Sequence, residues 1–356
     1  MADYLCSVTI GIPVYNADKY IERCLISVLD QTFEDYEVLV VDDRGTDNSI
    51  LKVEEIANNH VNGKKLRIVR HDRNKGVAEA RNTIIDEASG KYLYFMDSDD
   101  RISENAISLL FDKAENTNAE TVWGSFVNVE FDTEKEIPSV NGLGRYPDIE
   151  LFGLDSLASY GCQDIKEHLQ QSIWNILYRT DFIRDNHLRF KQHGSFDDGI
   201  FQAEMQPLVN RAVLVSNVTY YYYHRPNSLT HVDGCRGYSF REAINAMGAI
   251  DCHREICRSI SSKPYYDCRV TKVLKEAYYI SLGILKHRNE MDGKVCDSQI
   301  KKIMESPATF MQIIKFQRYR SINLLIYFFY LLPSSIYVKM LRMFAKWKML
   351  LFQNES

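Results

Sequence analysis

The chain has 356 residues, 45% hydrophobic and 26% charged, with a formal net charge of −5. That supplies a large core, sized for one catalytic domain plus an appendage, and no nucleic-acid partner is expected. Its eight cysteines are scattered without Cys-x-x-Cys spacing, which excludes a disulfide frame or a zinc site and suits reduced thiols in a cytosolic setting.

Residues Met1-Ala2-Asp3-Tyr4 carry neither basic residues nor an apolar signal core, so no export by that route is expected. A β-branched run, Cys6 to Pro13, predicts a strand. From Asp18 to Asp30 the apolar residues Tyr20, Ile21, Cys24, Leu25, Val28 and Leu29 recur at helical spacing. Glu37 to Val41 reads as a second buried strand, ending in Asp42-Asp43 and a turn-rich segment. Leu66 to Arg70 gives a third strand, Gly76 to Ala88 a helix, and Tyr92 to Met96 a fourth strand. Strands alternating with helices imply βαβ units and a mostly parallel sheet covered on both faces, with ligands outside the carboxyl ends of the strands.

The fourth strand ends in Asp97-Ser98-Asp99-Asp100, three carboxylates in four residues. Crowded carboxylates repel one another, and a divalent cation between them relieves the repulsion. Mg²⁺ or Mn²⁺, with hard oxygen ligands and substrate phosphates completing the shell, fits that chemistry. An acidic loop capping the next helix is the alternative. There is no Gly-x-Gly-x-x-Gly turn after the first strand, where Pro13 and Tyr15 stand instead, which argues against a dinucleotide-dependent dehydrogenase.

The order of these motifs resembles the family 2 inverting glycosyltransferases of GT-A fold, as found in bacterial surface-polysaccharide synthesis. The matching residues are Pro13-Val14-Tyr15-Asn16, Gln31-Thr32, Val41-Asp42-Asp43 with Asp47, Asn74-Lys75-Gly76, Ala80-Arg81-Asn82 and Asp97 to Asp100. Arg44-Gly45-Thr46 departs from the Gly-Ser-Thr common there. The resemblance implies an α/β GT-A (Rossmann-like) sheet with a C-terminal helical extension. It also implies a nucleotide-sugar donor, UDP-linked, with Pro13, Tyr15, Asp42, Asp43, Arg81, Asp97 and Ser98 on the donor side. Asp97, Asp99 and Asp100 would hold Mg²⁺ or Mn²⁺. Tyr15 offers a stacking face, and Asp42 or Asp43 an acceptor for the base N–H.

Later motifs match more loosely. Trp174-Asn175-Ile176-Leu177-Tyr178-Arg179 has Ile176 where Lys is common, and Trp174 is either an acceptor platform or core. Phe196-Asp197-Asp198 matches an acidic pair, with Asp198 as the general base for the acceptor hydroxyl and Asp197 as a neighbour that raises a carboxyl pKa. His224, Arg225 and His231 follow a Tyr-rich strand as candidate cations over the pyrophosphate. A non-catalytic, membrane-bound glycan- or nucleotide-sugar-binding homologue is the rival reading.

Charge is uneven. Residues 301–350 carry nine Lys or Arg against Glu305 alone, a net +8 in a chain of −5. From Ile336, Lys339, Arg342 and Lys346 share one helical face and Ile336, Met340, Phe344, Trp347 and Leu351 the other. That pattern predicts an interfacial segment on an anionic membrane surface, and a docked or oligomerising helical hairpin is the alternative. The expected organisation is a catalytic domain over 1–231, a helical region over 232–300 and the basic segment over 301–356. The expected location is cytoplasmic, on the inner face of the membrane, with a glycan or lipid-linked acceptor as partner and homo-oligomerisation left open.

Overall fold

The computed structural model describes residues 4–130, 137–139, 144–166, 168–224 and 239–352. The chain divides into two compact units. The first comprises Met1–Ala158, Leu169–Gln192 and Asp197–His231, and the second Ser159–His168, His193–Phe196 and Val232–Ser356. The two stretches expected as a helical region and a separate basic tail therefore fall in one unit.

The first unit is built on strands β1 (Cys6–Val14), β2 (Tyr36–Asp42), β3 (Leu66–Arg70), β4 (Gly90–Phe95), β5 (Arg101–Ile102), β6 (Thr121–Glu130), β7 (Ile137–Ser139), β8 (Ile149–Phe152), β9 (Ile176–Arg179) and β10 (Arg211–His224). Its helices are α1 (Ile21–Leu29), α2 (Ser49–Asn59), α3 (Val77–Glu87), α4 (Ala106–Thr117), α5 (Ser156–Gly161, which runs into the second unit), α6 (Thr180–Asp185) and α7 (Asp197–Met205). The strands form one sheet in the order β3-β2-β1-β4-β9-β6-β10-β5. The first four are parallel, as alternating strands and helices require. Beyond β4 the sheet is mixed: β9 runs antiparallel to both β4 and β6, while β10 is parallel to β6. Val8, Ile10 and Ile12 of β1 and Val38 and Val40 of β2 pack with Ile21, Leu25, Val28 and Leu29 of α1 in the main core. The helical spacing read in the sequence is thus the buried stripe of α1.

One buried polar residue locks the mixed half. Asn175, fully buried with φ 59°, donates to Gly124 O (2.6 Å) and Ser125 O, and accepts from Thr219 Oγ1 (2.6 Å) and Tyr94 OH. It thereby ties β4, β6 and β10 together. Gly124 is required beside it, because a Cβ there would collide with Thr219 and Asn175. Trp174 is core, lying parallel to the rings of Tyr220 (4.4 Å) and Tyr222 (5.2 Å) and 5% exposed. Asn175→Ala leaves buried partners unsatisfied at about 1–3 kcal/mol each, so it is expected to lower the urea unfolding free energy by about 3 kcal/mol or more. A change in that free energy no larger than a surface substitution gives would remove this role.

The second unit contains helices α8 (Phe240–Ser259), α9 (Tyr266–His287), α10 (Asp297–Ile303), α11 (Phe310–Ile314), α12 (Arg320–Tyr330) and α13 (Ser334–Phe352). A capping box between Ser239 and Glu242 starts α8. Ala243, Ala246 and Ile250 of α8 and Ala277 and Ile284 of α9 share a core with Ile300 and Ile303 of α10 and with Tyr337, Val338 and Leu341 of α13. The buried face of α13 is therefore the Tyr337/Val338/Leu341 face. Ile336, expected on the apolar seam, is 46% exposed. Periodicity finds an apolar stripe but cannot say which of two adjacent stripes a neighbouring helix will cover.

Candidate active site

The carboxyl ends of β1, β2 and β4 bring the predicted donor-side residues to one edge of the sheet, since Gly11 of β1 pairs with Phe95 of β4 and Val14 with Asp42 of β2. In the turn after β4, Asp97, Asp99 and Asp100 each present a carboxylate oxygen, all within 4.8 Å of one another. Three hard oxygens so close fit a small divalent cation. Their surroundings differ. Asp97 and Asp99 are half-buried, as is Ser98 between them. Asp100 is fully buried, accepting from Tyr220 OH (2.6 Å) and from the Tyr223 N–H (2.8 Å) of β10. Burial, aided by the charges of Asp99 and Asp97, pushes its carboxyl well above the usual range. Asp100 thus anchors β10 to the acidic turn, and Asp97 and Asp99 face outward. Arg23 of α1 supports the turn by donating to the Asp99 carbonyl while its guanidinium lies 3.5 Å from the centre of the Tyr223 ring.

The base candidate arrives from far along the chain. Asp197 and Asp198 form the first turn of α7, as the helix-terminus reading expects. Arg81 of α3, 6% exposed, bridges the two acidic sites: Nη2 lies 3.2 Å from Asp97 Oδ1, and Nη1 donates to Asp198 Oδ1. This pairing spans 117 residues of sequence. The Asp198 carboxyl is pushed above its ordinary range by burial and by the charge of Asp97, with Arg81 opposing. Sequence reading named only the adjacent Asp197 as a perturbing neighbour; the fold also brings Asp97 close enough to act on Asp198.

Asn82, next to Arg81, sets this distance. It donates to Phe190 O (3.0 Å) and accepts from Phe190 N (2.9 Å). The Phe190 ring stacks on Phe201 of α7 at 4.3 Å and 6°. Ala80-Arg81-Asn82 therefore supplies both a charge clamp and the clasp that seats α7 beside it. Sequence reading singled out Arg81 and passed over Asn82, although both belong to the same motif.

On the nucleobase side Tyr15 is 50% exposed, and Pro13 pairs with Val41 in the β1–β2 register. Asp43 is buried with both oxygens engaged. Oδ1 accepts from His71 Nδ1 (2.7 Å) and Lys75 N (2.8 Å), and Oδ2 from Gly76 N (2.9 Å) and Asn74 Nδ2 (3.1 Å). It orders the Asn74–Gly76 loop, in which Gly76 has φ 89°. A carboxylate has about four acceptor sites, so Asp43 has none left for a base N–H. Asp42 accepts from Arg44 N (2.8 Å) and lines a cavity of 260 Å³ with Val14, Asn16, Arg44, Glu54 and Arg70. Arg44, standing where the resembled family has Gly, adopts φ 58° and donates to His71 O. His224 packs edge-on to Tyr222, and Arg225 and His231 lie outside the described residues. Ile176 is buried at the start of β9.

The open sheet, with acidic side chains at its carboxyl edge and a buried arginine between them, has the GT-A fold, and comparison with known proteins agrees. Residues 9–173 match the family model of Glycosyl transferase family 2. The teichoic acid poly(glycerol phosphate) polymerase of Staphylococcus epidermidis is 30% identical over 217 residues, 60% of this chain and 28% of that protein. The UDP-Glc:alpha-D-GlcNAc-diphosphoundecaprenol beta-1,3-glucosyltransferase WfgD of Escherichia coli is 34% identical over 156 residues, 40% of this chain and 59% of that one. The chain thus spans less than two thirds of either relative. In fold it is similar to residues 1–349 of S. aureus TarS, solved with UDP-GlcNAc, at a TM-score of 0.55 and 19% identity over 84% of this chain and 89% of that one.

Proposed function

We propose that this protein transfers a hexose or N-acetylhexosamine, with inversion, from a nucleotide sugar to a hydroxyl of a glycan or lipid-linked oligosaccharide in bacterial surface-polysaccharide synthesis. The observation that carries this reading is the line Asp97–Arg81–Asp198, which sets a candidate base beside the acidic turn. The relatives' names support it, since one polymerises teichoic acid and another takes UDP-Glc to a diphosphoundecaprenol-linked sugar.

In this reading Asp198 accepts the proton of the attacking hydroxyl, and burial raises its affinity for that proton. Arg81 holds the carboxylate in place and compensates the negative charge between the two sites. Asp97 and Asp99 would hold Mg²⁺ or Mn²⁺, with Asp100 fixing the turn that presents them. A cation there supplies charge neutralisation to the departing diphosphate. Tyr15, exposed just past the end of β1, would offer a face to the nucleobase, with Pro13 in the strand before it, and Asp43 shapes the Asn74–Gly76 loop. Asp42 and Ser98 complete the donor side. The acceptor would be met at the inner face of the membrane, through the basic C-terminal region. Among the described residues no helix is long and apolar enough to cross a membrane.

The test is a donor screen of the full chain with Mn²⁺, reading nucleoside diphosphate release. Release from a UDP-hexose or UDP-N-acetylhexosamine, and from few other donors, is the expected result. No hydrolysis or transfer with any nucleotide sugar would favour a non-catalytic glycan-binding protein.

A further inference from the structure

We infer that the outer face of α12, together with the turn that follows it, lies on an anionic lipid surface. This deepens the membrane reading above by naming the face, and its test reads binding rather than transfer. The α12 sequence, Arg-Ser-Ile-Asn-Leu-Leu-Ile-Tyr-Phe-Phe-Tyr, is among the most apolar stretches of the chain, yet its only buried residue is the polar Asn323. Asn323 Nδ2 donates to Thr271 Oγ1 of α9 and to Tyr319 O, both at 2.8 Å. Ile326 and Phe329, three and six residues on, pack against the helical core. The other side is exposed: Ile322 is 44% exposed, Leu325 61%, Phe328 54% and Leu331 64%. The helix is inside-out, held by an amide and turning its larger apolar side chains to the outside. Met311 of α11 is 63% exposed on a helix that packs on α12 through Phe310, whose ring meets Tyr327 and Phe328.

Charge selects the occupant. Lys315, Arg320, Lys339 and Arg342 are all exposed on α11 to α13 and the segments joining them, and no Asp or Glu occurs between Glu305 and Glu355. An apolar stripe with cations around it that make no ion pair among the described residues matches the boundary between acyl chains and anionic headgroups. A protein partner would be expected to meet a mixed-charge rim. At 1.5 Å per residue α12 is only about 16 Å long, roughly half a hydrocarbon core, so it would lie in the interface plane.

The experiment is flotation of the full chain with vesicles of phosphatidylcholine alone or mixed with phosphatidylglycerol. The chain is expected to float with the mixed vesicles and to be released by salt. The double variant Leu325→Ser/Phe328→Ser should bind about tenfold more weakly or worse, because both side chains lose their apolar contact with lipid. Its thermal midpoint and donor hydrolysis in vesicle-free buffer should be unchanged. A second variant, Lys339→Glu/Arg342→Glu, should lose affinity for the mixed vesicles and show a flatter salt dependence, and it decides the matter if the first variant misfolds. Equal binding by wild type and both variants would overturn the assignment, as would no binding by wild type. So would a wild-type dimer in light scattering that the first variant dissolves without any vesicle binding, which would give the face to a second copy. A chain that floats as expected but hydrolyses no donor would leave this surface standing and remove the proposed function.

Discussion

Replacement of Asp198 by Asn is expected to lower kcat by about a hundredfold or more, the usual contribution of a positioned general base, while donor KM changes little. The amide keeps the shape and can still accept a hydrogen bond from Arg81, so α7 stays seated through Phe190 and Phe201. What it cannot do is take a proton. Asp197→Asn serves as the comparison: near-normal turnover in Asp198→Asn with loss in Asp197→Asn would move the base by one residue. The pH profile tests the same group independently. As a general base Asp198 would act only when ionised, and burial with the charge of Asp97 places its carboxyl above the ordinary range. The acidic limb of kcat should therefore lie above that range, with rate rising as pH rises through it. Arg81→Gln removes the one charge that opposes the shift, so the limb should move to higher pH in that variant. A residue serving only to cap α7 would produce no such displacement.

Much of this site is legible in the sequence where the relevant residues are contiguous. A buried strand that ends in Asp97-Ser98-Asp99-Asp100 announces its chemistry locally, and strand-helix alternation places it at the sheet edge. Arg81 to Asp198 is different: a pair separated by 117 residues has no local signature, so the motif marks Arg81 for the donor side but cannot name Asp198 as its partner. Asp43 shows the same limit from the other side. Its spacing matches a nucleobase acceptor, but its two oxygens are taken by His71 and the 74–76 loop, a competition visible only once the loop has folded. The C-terminal helices add a third case. The apolar pattern of α13 predicts an outward seam that includes Ile336, which is exposed, but it does not single out the adjoining Tyr337, Val338 and Leu341, which enter the core. The unpartnered apolar face sits on α12, where one buried asparagine reverses the usual orientation.

The second large effect expected is at Asp99. Asp99→Asn should reduce transfer by more than about a hundredfold, since disturbing even an outer partner of a metal ligand costs up to that much. The fold should survive, because Arg23 binds the Asp99 main-chain carbonyl and so does not depend on the carboxylate. Asp97 is a poorer test, being tied to Arg81 as well, so that its loss would disturb the base indirectly. Asp100→Asn provides the internal contrast. If Asp100 anchors β10 rather than binding the cation, an amide that still accepts from Tyr220 or Tyr223 should preserve much of the activity at some cost in stability. Removal of divalent ions by EDTA should stop the wild-type reaction, and added Mn²⁺ or Mg²⁺ should restore it. In Asp99→Asn the restoring concentration should rise steeply, because one fewer anionic oxygen weakens a hard cation and its bound diphosphate together. Wild-type turnover that is indifferent to EDTA would refute metal use at this turn and leave the three carboxylates to be explained by the β4–β5 connection alone.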